Sequence, residues 1–186
     1  MQSAAIQNER RLLRWSASLA DFAPPVAPPA ASWLAEPGLL TDRLRACCSG
    51  KQGLTVVAER EAPLAAAESA LLQAPGSAAF VREIELTCDG RPWVFAQTLI
   101  PLATLARHGW LSTLGDAALG ERLAAVPGIQ RGPLEFARLR PGIALFHRAL
   151  RESATPPAEL WARRSWFAID GNRLLVQEVF LPESLR

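Results

Sequence analysis

The chain has 186 residues, of which 49% are hydrophobic and 20% charged, and a formal net charge of +2. That length suits one globular domain with a sizeable core, and that apolar fraction argues against disorder. A near-neutral chain has almost no long-range pull on a polyanion, which excludes a general nucleic-acid binder, and no run approaches the ~18–20 apolar residues of a membrane-spanning helix. Lys51 is the only lysine, so an arginine is informative here by its position rather than its identity.

Helical character runs from about Ile6 to Leu19, and Pro24-Pro25-Val26-Ala27-Pro28-Pro29 reads as a stiff extended connector. A short helix is predicted from Ser32 and broken by Pro37-Gly38. A second follows through Leu39, Leu40, Leu44 and Cys48. The pattern then changes to strands: Leu54 to Arg60, Ala79 to Cys88, an Asp89-Gly90 turn, and Pro92 to Ile100. Apolar runs around Asp-Gly are a strong hairpin signal. A helical interval leads through Leu114-Gly115-Asp116 into Ala117 to Ala125. Leu134 to Arg140 is another strand, and Ala144 to Leu160 is helical or irregular. Trp161 to Ile169, Asp170-Gly171-Asn172 and Arg173 to Leu181 form a second hairpin. Hairpins with helices gathered in separate intervals predict an α+β domain on a single antiparallel sheet. The domain reading is an extension over 1–30 with its Pro-rich connector, then one domain over 31–186.

Arg10-Arg11-Leu12-Leu13-Arg14-Trp15 does not make an export signal, because Arg14 and Asp21 interrupt the apolar region such a signal needs. Three cysteines, two of them the adjacent pair Cys47-Cys48, do not make a disulfide framework, and buried thiols are the expectation. There is no Cys-x-x-Cys, and His108 and His147 lie far apart, so a metal-free, cytoplasmic protein is expected. Six tryptophans without tyrosine suggest core packing.

Strand parity carries the chemistry, because alternate side chains point to opposite faces. Phe80, Arg82, Ile84 and Leu86 share the buried face of one strand, and Leu174, Val176, Glu178 and Phe180 share a face of the last. A charge removed from water costs several kcal/mol unless it is paired and hydrogen-bonded. Arg82 and Glu178 therefore either form buried ion pairs, with each other or with neighbours, or line a cavity. In the second case Arg82 would hold a carboxylate by its planar fork, and Glu178 would bind a hydroxyl or accept a proton. Parity does not choose between these readings. From Arg131 to Arg164 seven arginines face three glutamates, a local excess that would either steer a small anion toward a cleft or form a solvated surface.

At these residues the chain resembles the chorismate pyruvate-lyase family. The likeness runs through Val81-Arg82-Glu83-Ile84, Cys88-Asp89-Gly90-Arg91-Pro92-Trp93 and Ile100-Pro101-Leu102-Ala103-Thr104-Leu105. It continues in Leu114-Gly115-Asp116-Ala117-Ala118-Leu119-Gly120, Leu160-Trp161-Ala162-Arg163-Arg164-Ser165 and Gln177-Glu178-Val179-Phe180-Leu181-Pro182. No single motif is specific, but their order and spacing are. The resemblance implies a single antiparallel sheet with helices covering a buried ligand site. It implies Arg82 as the carboxylate-binding arginine and Glu178 as the second polar site residue. Leu40 and Leu119 become apolar contacts on two helical flaps, with a backbone group of Leu119 also reaching the ligand. The family often carries methionine where this chain has Leu40, in Gly38-Leu39-Leu40-Thr41.

The implied activity is conversion of chorismate to 4-hydroxybenzoate and pyruvate, the first committed step of ubiquinone biosynthesis. Aromatisation drives it, so no cofactor or metal is implied, and the one partner is the small-molecule substrate. A site sealed under flaps implies inhibition by product. Nothing in the pattern demands a partner subunit, so a monomer is expected. The alternatives are a non-catalytic, sensor-like binder of small aromatic acids on the same fold, and a lyase giving another hydroxybenzoate.

Overall fold

A computed structural model describes residues 13–151 and 155–185. Seven antiparallel strands form one sheet: β1 (Gln52–Pro63), β2 (Ala78–Cys88), β3 (Arg91–Pro101), β4 (Gln130–Arg131), β5 (Glu135–Leu139), β6 (Leu160–Ile169) and β7 (Asn172–Phe180). Their order is β1-β2-β3-β7-β6-β4, and β5 pairs with the same edge of β6 further along. The expected α+β architecture with a single antiparallel sheet is what the chain adopts. Both hairpins turn on an Asp-Gly pair with positive φ, 49° and 75° at Asp89-Gly90 and 48° and 78° at Asp170-Gly171. That backbone matches the twist of the flanking strands.

Among the described residues six short α-helices pack on the two faces: α1 (Pro28–Leu34), α2 (Leu40–Cys47), α3 (Ala66–Leu71), α4 (Leu102–Arg107), α5 (Leu119–Ala124) and α6 (Ala144–Leu150). On the front face, Trp33, Leu34, Leu40 and Leu44 of α1 and α2 cover Ile84, Leu86 and Phe180. Leu119 and Leu123 of α5 cover Ile100 and Leu174. Between these two clusters the sheet is left open to a cavity. On the back face α6 packs over Phe95, Ala162 and Val179, while Leu71 and Leu72, at the end of α3, pack on Val81 and Leu175.

Several elements differ from the sequence reading. The predicted N-terminal helix lies outside the described residues up to Leu12, and from Leu13 to Ser18 the chain is not helical. There the segment runs along the sheet edge, with Ser16 bridging Phe136 and Phe22 set edge-on against Trp161 at 5.1 Å. The Pro-rich run becomes helical at Pro28, because proline at the first helical position lacks only an N–H that would have had no acceptor. Helix α3 and the two-residue β4 were not anticipated. The odd face of β2 is also buried, with Glu83 only 5% exposed, because β2 has strands on both sides and helices on both faces.

The expectation of buried thiols is corrected. Cys48 and Cys88 form a disulfide across a Cα–Cα distance of 5.8 Å, and Cys47 is free and exposed. Pairing became possible because Cys48, just past the end of α2, lies beside Cys88 at the β2–β3 hairpin, a long-range placement that cysteine spacing does not encode.

Candidate active site

The cavity encloses about 250 Å³, the small end of ligand-site sizes, suited to one single-ring compound. Its floor is sheet. One cross-strand row brings Ile84, Ala96, Glu178 and Arg163 side by side, and the next brings Glu59, Arg82, Thr98, Val176 and Ser165. Its roof is the start of α2, at Gly38 to Thr41, and the start of α5, at Ala118 to Gly120. Four charged side chains line it: Arg82, Arg131, Arg163 and Glu178. Their sum is +2, complementary to a dianion.

All four anticipated site residues line this one cavity: Arg82 and Glu178 from the sheet, Leu40 and Leu119 from the roof. Arg82 and Glu178 do not pair with each other. Arg82 is 1% exposed, donates from Nε to Glu59 Oε1 at 3.2 Å and from Nη2 to the Gly115 carbonyl at 2.6 Å. A β-bulge between Val56 and Ala58 shifts the register of β1, so that Glu59 rather than Ala58 opposes Arg82. Burial pulls the Arg82 pKa below its ordinary value, opposed by Glu59 and Asp116. An arginine nevertheless stays charged, and its Nη1 makes no hydrogen bond among the described residues.

Glu178 receives Arg163 Nε at 2.6 Å through Oε2. Arg163 is itself 1% exposed and gives Nη1 to the Glu36 carbonyl at 2.5 Å, which ties the α1–α2 turn to the sheet. Arg131 stands at the rim, its Nε on Ser165 Oγ at 3.1 Å and its Nη1 on the Pro37 carbonyl at 2.9 Å. Its pKa is lowered, first by burial and then by Arg163, with Glu178 opposing. The two readings of the buried charges thus coexist, because each is paired on one side and faces the cavity on the other.

The flaps meet over the cavity. A Cβ at Gly120 would lie 3.3 Å from Leu39 Cδ2, and Arg45 reaches Glu121 at 3.4 Å. Within the α1–α2 turn, the Glu36 carboxylate accepts the Gly38 N–H at 2.9 Å and pairs with Arg43 at 3.1 Å. The Gly38 N–H in particular holds the Glu36 carboxyl below the usual range.

Arg131 and Arg163 were not singled out from the sequence. Both fall within the arginine-rich interval noted there, and Arg163 lies in a stretch that carries the family likeness. Among the described residues no three His, Cys, Asp or Glu side chains are grouped to hold a metal, and no helix is long and apolar enough to cross a membrane.

Fold and site together define a class: a one-sheet α+β domain that encloses a small arginine-lined pocket under two helical flaps. The chorismate lyase family model matches residues 14–185. A probable chorismate pyruvate-lyase of Azoarcus sp. (strain BH72) is 41% identical over 160 residues, covering 82% of this chain and 84% of that protein. One from Aromatoleum aromaticum is 43% identical over 158 residues, with the same coverage. The chain belongs to the chorismate lyase family. Among solved structures, PhnF from Mycobacterium smegmatis superposes with a TM-score of 0.60 at 15% identity, over 82% of this chain and 67% of that one. The C-terminal domain of a histidine utilization repressor from Pseudomonas syringae gives 0.56 at 9% identity, over 73% and 95%. At such identities the likeness shows the fold alone.

Proposed function

We propose that this chain carries out the reaction in its family's name, converting chorismate to 4-hydroxybenzoate and pyruvate for ubiquinone biosynthesis. The observation that carries the reading, beyond family membership, is a small cavity under two helical flaps whose lining charges sum to +2, offered to a small dicarboxylate.

In the reaction the bond from the ring to the enolpyruvyl oxygen breaks, a hydrogen leaves the neighbouring ring carbon, and the enolpyruvyl methylene gains one. Atoms balance without a co-reactant, and aromatisation supplies the driving force. The protein's part is to hold the substrate in reactive geometry and offset developing charge. Arg82 receives the ring carboxylate through Nη1, its other donors being held by Glu59 and the Gly115 carbonyl. Glu178, with Arg163 on Oε2, offers its remaining oxygen to the ring hydroxyl and is placed to take the adjacent ring hydrogen. Leu40 and Leu119 close over the ring, and Leu119 stands in the first turn of α5, where a backbone N–H has no intrahelical acceptor.

Every group given a role here belongs to one chain, so the reading requires no partner subunit, and a monomer is proposed with it. Chorismate is a polar dianion that does not cross bilayers unaided, which supports action in the cytoplasm. Incubation with chorismate, with pyruvate measured and the aromatic acid identified, tests the reading. Equal amounts of pyruvate and 4-hydroxybenzoate are expected. Another hydroxybenzoate would reassign the product, and binding without turnover would make the domain a sensor.

A further inference from the structure

Three arginines line the cavity, and they differ in one respect. Arg82 is paired with Glu59, and Arg163 with Glu178. Arg131 contacts only neutral oxygens, Ser165 Oγ and the Pro37 carbonyl, and among the described residues it has no carboxylate within ion-pair distance. Its Nη2 makes no hydrogen bond among those residues. An exposed cation stacked 5.4 Å over the Phe167 ring, at the cavity and in no ion pair among the described residues, is open to an anion the protein does not itself supply.

Which anion follows from where Arg131 stands. Chorismate carries its ring hydroxyl and its enolpyruvyl ether on adjacent carbons, with the ring carboxylate across the ring. With that carboxylate on Arg82 and the hydroxyl on Glu178, the ether carbon lies on the flank of the ring next to Glu178, and the enolpyruvyl group projects sideways from the line between Arg82 and Glu178, here toward β6. Arg163 occupies the neighbouring strand there, directly paired in register with Glu178, and Ser165 is two residues on along the same face. Arg131 hangs from Ser165 on that flank and lines the cavity.

We propose that Arg131 is a substrate-contacting residue for the lyase reaction, binding the enolpyruvyl carboxylate of chorismate and offsetting the charge that develops on the departing enolpyruvyl oxygen. The inference rests on the functional reading above and deepens it. It accounts for a pocket charge of +2 when the retained product is a monoanion: one positive charge serves the product, and the other serves the group that leaves. Once pyruvate departs, Arg131 loses its ligand while still bridging Ser165 to the Pro37 carbonyl of the flap.

The test exploits the missing group in 4-hydroxybenzoate. For Arg131→Gln, kcat/KM for chorismate should fall by about 10- to 100-fold, the range for a lost charge-assisted contact. The Kd for 4-hydroxybenzoate should stay within about threefold of the parent chain, which also reports that the variant is folded. Arg131→Lys should recover part of the loss, since it keeps the charge and loses the fork. If both ligands weaken in parallel, Arg131 only latches the flap through Pro37, and the assignment is overturned. An unchanged kcat/KM overturns it as well. A parent chain that makes no pyruvate removes the functional reading, and this one with it, whereas an active parent with an indifferent variant removes this one alone.

Discussion

At the residue scale the informative fact is that Glu178 is an ion-paired carboxylate rather than an isolated one. Arg163 Nε at 2.6 Å fixes one oxygen, leaving the other for the ligand. A general base needs its lone pair aimed at the proton, and that pairing supplies the aim. Glu178→Gln retains the shape and a hydrogen bond to the hydroxyl but cannot take a proton. If Glu178 is the base, turnover should fall by about 10²-fold or more, with 4-hydroxybenzoate affinity moved far less. Turnover left intact would make Glu178 a binding residue, with the ring hydrogen passing directly to the enolpyruvyl methylene. Arg82 and Glu178 stood out in the sequence because each is a charge among large hydrophobes on one strand face, Arg82 with Phe80, Ile84 and Leu86 and Glu178 with Leu174, Val176 and Phe180, while their roles came from the family likeness. Arg163 did not stand out, since Arg163 and Arg164 are adjacent and put one arginine on each face of β6. Arg131 sits in a strand of two residues, too short for any alternation to show.

At the element scale the roof is two short helices, each of too few turns to be stable by itself, so what anchors them decides how the site opens. Helix α2 begins at the pocket with Leu40 and ends at Cys47, and the next residue, Cys48, is bonded to Cys88 at the β2–β3 hairpin. The sequence marked both helices and the hairpin through local signals, Pro37-Gly38, Leu114-Gly115-Asp116 and Asp89-Gly90. It did not mark the bond, because three cysteines leave the pairing open and 40 residues separate the partners. A cross-link of that span is worth about 4 kcal/mol in the chain-entropy picture. Cys88→Ser should lower the thermal midpoint and, by freeing the end of α2, speed release of 4-hydroxybenzoate. Stopped-flow displacement of the product, with and without a dithiol reductant on the parent chain, reads the same change reversibly. Equal release rates in all three samples would show that Leu39 against Gly120 and Arg45 with Glu121 hold the flap without the tether.

At the scale of the whole molecule the sheet separates chemistry from support. The front face carries the cavity. The back face carries a second polar row in register across the sheet: Glu83, Gln97, Gln177, Arg164 and Glu135. Glu83 accepts from Arg60 at 3.0 and 2.8 Å, from Gln97 at 2.7 Å and from Arg148 at 2.9 Å, and Gln177 passes the chain on to Gln97 at 3.0 Å. This row divides the two apolar clusters on the back face, and none of its members lines the cavity. Its role is to fix register and to dock Arg148 of α6. Glu83→Ala leaves Arg60 and Arg148 able to turn toward water, being partly exposed, but strands the buried Gln97 amide. The cost should be about 1–3 kcal/mol, a fall of roughly 3–10 °C in the thermal midpoint for a chain of this size. Since Glu83 and Arg82 are consecutive residues on opposite faces, the same variant assayed well below its midpoint should keep its kcat/KM for chorismate and its 4-hydroxybenzoate Kd. Arg82→Ala should do the reverse, weakening the ligand far more than the fold. A Glu83 variant that lost catalysis at constant fold would mean that the two faces are coupled through β2, and that the polar row on the back belongs to the site.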